Sequence, residues 1–77
     1  MKSKFIIIIT TENDDEIARV RLPVIPQIGW TLFVDGKNGY PYECLVKGVH
    51  VSITELMQQD PPRQIVSYTL IVEAKRS

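Results

Sequence analysis

The chain has one cysteine and one histidine in 77 residues, so it carries little of the material from which catalytic or metal sites are built. Cys44 alone excludes an internal disulfide and any zinc site made of several cysteines. With no disulfide to argue for an oxidising compartment, a reducing cytoplasm is the expectation. Around His50 no His, Cys or carboxylate stands at metal-ligand spacing, and general acid–base work needs paired titratable groups in a cleft. No catalytic residue, metal or cofactor is therefore expected. An excess of charge is missing too, with nine Lys plus Arg against nine Asp plus Glu. A protein that lives on phosphate contacts needs a cation for each phosphate, which disfavours a nucleic-acid partner. Long apolar runs are also lacking. Phe5 to Ile9, behind Met1-Lys2-Ser3-Lys4, falls short of the roughly 7 to 15 apolar residues of a signal sequence, and nothing approaches the roughly 18 of a membrane-spanning helix.

What is present is the composition of a globular domain, 44% hydrophobic and 23% charged. A chain this short buries only roughly 60 to 65% of its unfolded surface, so residues 1–77 read as a single domain with a thin margin of stability. Association with a second copy would cover more apolar surface and widen that margin.

The local pattern is that of strands and turns. Phe5-Ile6-Ile7-Ile8-Ile9-Thr10-Thr11 is almost wholly β-branched, which restricts χ1 and favours a pleated strand. The polar cluster Glu12-Asn13-Asp14-Asp15-Glu16 reads as a hairpin tip, with Ile17 to Leu22 alternating behind it until Pro23 ends the ladder. Two prolines, a Gly29-Trp30 corner and Asp35-Gly36 bracket a third strand over Trp30 to Val34. Tyr40 to Ile53 supplies a longer fourth segment whose parity changes midway. Tyr42, Cys44 and Val46 share one face while Val49, Val51 and Ile53 share the other, so a bulge or kink at Gly48 is needed to reunite the apolar set. Thr54 to Gln59 is expected to make one short helical turn before Asp60-Pro61-Pro62, and Ile65 to Ala74 a fifth strand, with Lys75, Arg76 and Ser77 as a solvated tail. The fold class that follows is all-β: a small five-stranded barrel or a rolled antiparallel sheet.

Pro26-Gln27-Ile28-Gly29, followed by Leu32, Val34, Asp35-Gly36, Tyr42 and Val46, resembles a turn pattern of small uncharacterised bacterial and phage proteins that look like Src-homology-3-like barrels. The likeness covers roughly residues 20 to 50. It departs at Trp30, where that pattern carries an acidic residue. The resemblance implies the barrel and a bacterial or mobile-element accessory protein, and it carries over no site residue.

Three groups of residues are candidates for binding. Arg19 and Arg21 share a face of the second strand, and either parity of the first sets an apolar row beside them, Ile6 and Ile8 or Phe5, Ile7 and Ile9. Arginine stems lie on apolar surface and arginine is enriched where proteins meet, so this face is a candidate contact for another protein or a second copy, with Phe5, Ile7 and Ile9 as its interface row. Trp30, Tyr40 and Tyr42 are expected near the mouth of the third-to-fourth strand hairpin, where aromatic rings could stack on a peptide or a ligand ring. Lys2 and Lys4 with the two arginines form either a local basic patch or gatekeepers against aggregation. Two functions follow. One is a non-enzymatic binding or inhibitory accessory protein. The other is an oligomeric small-ligand or nucleotide-sequestering protein whose Trp30, Tyr40 and arginines hold a small anionic ligand.

Overall fold

In the computed structural model, which describes residues 4–58 and 60–76, five strands form one sheet curled into a nearly closed barrel. β1 is Phe5–Thr11, β2 Glu16–Leu22, β3 Thr31–Asp35, β4 Pro41–Leu56 and β5 Arg63–Arg76. The order is β2-β1-β5-β4-β3, so β2 and β3 end the sheet and face each other across the seam. Every pairing is antiparallel except β1 with β5, which is parallel, so of the two forms expected, barrel or rolled antiparallel sheet, the chain takes the barrel. A parallel pair becomes possible because the rest of the chain carries the crossover.

The interior is apolar by alternation. Ile7 and Ile9 of β1, Ala18 of β2, Cys44 and Val46 of β4 and Leu70 and Val72 of β5 are buried, with Val20, Leu22, Leu32, Val34 and Tyr42 packed around them. Two bulges make this parity work. Between Ile9 and Thr10 the register with β2 slips, leaving Ile17 as the extra residue; Ile17 and Ala18 are thereby both buried, where simple alternation would separate them. Between Val46 and Gly48 the register with β5 slips by Lys47, so Val46 opposes Val72 and Val49 opposes Leu70 on the same inner face. This is the irregularity that the sequence parity demanded, with Lys47 as the residue left out of the ladder.

Turn chemistry closes the ends. Gly29 has φ +95° and donates to the Val46 carbonyl, while Val46 donates to Trp30, so the Gly-Trp corner is tied to β4. In the β3–β4 turn the left-handed residue is Gly39, φ +85°, and the Asp35-Gly36 pair only leads into it. Pro26 is fully buried under the β2–β3 connection. The seam is fastened at its far end by the Lys37 amide donating to the Ile17 carbonyl at 2.9 Å.

Two expectations at the chain's C-terminal half are corrected. Thr54 to Leu56 are not helical: they continue β4, paired with Ile65, Gln64 and Arg63, because a strand partner already satisfies their backbone. Gln59 of the expected turn lies outside the described residues. Lys75 and Arg76 are not a free tail either, since β5 runs through them opposite Glu43 and Tyr42; Ser77 lies outside the described residues.

Candidate functional site

β3 has 5 residues whereas β4 has 16 and β5 has 14, and this mismatch in length creates the dominant surface feature. β1 joins β5 only from Ser67 onward and β3 leaves β4 at Leu45. The distal parts of β4 and β5, Ile53–Leu56 paired with Arg63–Val66, therefore project as a two-stranded arm rooted at Val51. Four residues of β5 beyond that junction reach roughly 13 Å. The inner stripe of the barrel runs out along the arm with nothing over it. Val51 and Ile53 are 58% and 61% exposed, Val66 of the same stripe is exposed, and Ile65 and Met57 add apolar surface on the other face and at the tip. Phe5 marks where the core stops, its ring edge-on to Tyr68 at 5.6 Å. Ile28 and Trp30 are exposed at the base, beside the point where β4 loses its neighbour.

The arginine face is placed by the β1–β2 register. Arg21 opposes Ile6 and Arg19 opposes Ile8 on the outside of the barrel, continued by Ser67 and Thr69 of β5. Ile6 and Ile8 are half-buried between these neighbours. Ile7 and Ile9, expected in the interface row, are fully buried in the core, and Phe5 is half-buried at its lower edge. That expectation is corrected, because the pleat sends these residues inward as soon as Arg19 and Arg21 point out. Arg19 donates to Glu16 at 2.9 Å, and Glu16 also pairs with Lys37. The Lys37 ammonium is the main reason that the Glu16 carboxyl is held below the usual carboxylate range; partial burial opposes this and Arg19 adds to it. Lys4 is exposed, and Lys2 lies outside the described residues.

The aromatic group is not assembled in one protomer. Tyr42 packs against the core and its hydroxyl accepts from Asn38 at 2.9 Å. Tyr40 is exposed with the Arg76 guanidinium 3.8 Å from its ring centroid. Trp30 stands at the opposite end of β3, a strand that spans roughly 17 Å. Cys44 points inward and is fully buried, which pushes its thiol above the ordinary range, whereas His50 is exposed on the outer side, so the two form no dyad. At the Glu12–Glu16 tip, Asp14 takes φ 64° and the Thr11 hydroxyl accepts from the Asn13 and Asp15 amides, which is a hairpin turn. Among the described residues no three His, Cys, Asp or Glu side chains are gathered as for a metal, and no helix is long and apolar enough to cross a membrane.

The seam itself forms a second feature that sequence reasoning missed. A cleft of about 420 Å³ lies between Val20 and Leu22 of β2 and Leu32, Phe33 and Val34 of β3, with Ile9 at its floor. Its ends are shut by the Lys37–Ile17 hydrogen bond and by the β2–β3 connection. Part of the sequence signal for the arm was available, since the alternating apolar residues run on through Val51 and Ile53, beyond what a five-residue β3 could cover. Compared with protein-family models, curated proteins and solved structures, the chain has no match.

Proposed function

We propose that this protein is a non-enzymatic binding module, an accessory protein of bacterial or phage type that works in the cytoplasm by capturing or occluding a polypeptide partner through the β4–β5 arm. The observation that carries the reading is the uncovered apolar stripe Val51, Ile53 and Val66, continuous with the core and held out by a two-stranded ladder. Contiguous apolar surface on a small domain is costly to leave in water and marks a contact site. Main-chain groups along the arm's edges add hydrogen-bonding capacity for an extended partner. The outer row of Ile6 and Ile8 beside Arg19 and Arg21 supports a subsidiary contact, with the guanidinium groups at its rim.

Site-specific photo-cross-linking tests the reading. A photoreactive residue at Ile53 should yield a covalent adduct with a polypeptide under native conditions, while the same residue at Lys75 on the barrel should not. Absence of any adduct from position 53 removes the arm as a binding surface.

A further inference from the structure

The dimensions of the arm narrow the class of polypeptide that fits it. A compact folded chain of this mass exposes about 4,800 Å², whereas this one, at 8.8 kDa, exposes 5728 Å². The surplus of about 950 Å² is close to the roughly 800 Å² that each partner contributes to a standard interface. The radius of gyration agrees. It is 13.7 Å, with extents of 45 × 29 × 23 Å, against about 11.5 Å for a compact chain of this length.

The edges of the arm then differ. β5 is free only over Arg63 to Val66, and that stretch opens with a cation behind Pro61 and Pro62, the residues that guard an edge. β4 is free from Lys47 to Leu56, and beyond the bulge, through Val-His-Val-Ser-Ile-Thr-Glu-Leu, it carries no proline or lysine and a single acid. A strand that pairs antiparallel with a copy of itself about a twofold axis needs such an edge and needs its own sequence to be complementary in reverse. This one is. Centred on Val51, Val51 falls opposite the partner's Val51 and Ile53 opposite the partner's Val49. The tip of each arm then lies beside the base of the other, where Ile28 and Trp30 are exposed.

The geometry points to a second copy of this chain as the occupant: a twofold dimer in which the free β4 edges pair antiparallel about Val51, joining the two sheets and setting Val51 beside its own copy and Ile53 beside the partner's Val49. The inference rests on the arm being the binding surface, and it names the partner.

Sedimentation equilibrium of the purified chain tests it, with circular dichroism to verify that each variant keeps the barrel. The wild type should be dimeric and Ile53→Lys monomeric at the same concentration. Val51→Lys and Val51→Glu should each be monomeric, because the twofold axis sets two like charges opposite each other, and an equimolar mixture of the two should regain the dimer. Val51 is largely exposed, so this arm of the test holds even if Ile53→Lys misfolds. A wild type that stays monomeric, or a dimer indifferent to both Ile53→Lys and Val51→Lys, overturns the inference. If the position-53 cross-link traps a different polypeptide while the chain alone is monomeric, the second copy is rejected and the arm remains a binding surface; if it traps nothing, both fall.

Discussion

At the residue scale, most positions that looked chemical prove to be structural, and the clearest case is Glu16. It holds Arg19 on its own strand and Lys37 on the turn after β3, next to the backbone bond that fastens the seam, Lys37 to Ile17. Its carboxyl is held below the ordinary value, first by Lys37. A carboxylate with a depressed folded pKa stabilises the fold above the unfolded pKa and loses that contribution as pH falls through the folded one. The seam is accordingly expected to loosen only under acid conditions below the usual carboxylate range. A carboxyl NMR titration should place the Glu16 midpoint below that of an unstructured peptide, and Lys37→Met should move it back up. An unmoved midpoint would contradict the assigned cause. The same scale accounts for the misplaced interface row: which of two isoleucine sets faces out depends on a register that β1 alone does not encode, since both sets are equally apolar.

At the element scale, the bulge at Lys47 decides whether β4 can serve two roles. Without it, Cys44 and Val46 would face in while Val49 and Val51 faced out, and the inner stripe would stop at the barrel's edge instead of continuing down the arm. Deleting Lys47 should remove the bulge itself and leave Val46, Gly48 and Val49 in regular alternation against Val72, Ile71 and Leu70, so a cooperative thermal transition should survive. Lys47→Ala keeps the residue count and gives up only the exposed pair with Glu73, at 3.6 Å, so it should change stability by no more than about 0.5 kcal/mol in urea unfolding. A deletion variant with no cooperative transition would show that the bulge does more than set parity. The bulge was legible in the sequence because parity is a one-dimensional property. The extension of β4 through Thr54, Glu55 and Leu56 was not, because those residues suit a helical turn or a strand equally until β5 is set beside them.

At the scale of the whole molecule, the buried core is small, and a sheet whose long hairpin leaves the barrel gives up burial that a chain of this length needs. The proposed dimerisation through the arm would return part of it. By mass action the melting temperature should then rise with protein concentration in wild type and be independent of concentration in Ile53→Lys. Calorimetry over a range of concentrations checks this, and a wild-type melting temperature that does not vary would argue that the barrel is stable alone.

The sequence by itself determined the all-β class, the number of strands, the hairpin tip, the Gly-Trp corner and the need for a bulge near Gly48, because alternation, β-branching and turn residues act between near neighbours in the chain. Only the tertiary structure decided the parallel pairing of β1 with β5, the inward turn of Ile7 and Ile9, the separation of Trp30 from Tyr40 and the uncovered length of the arm. Each of these depends on which strand lies beside which and where each pairing stops, and that is settled by contacts between residues far apart in the chain.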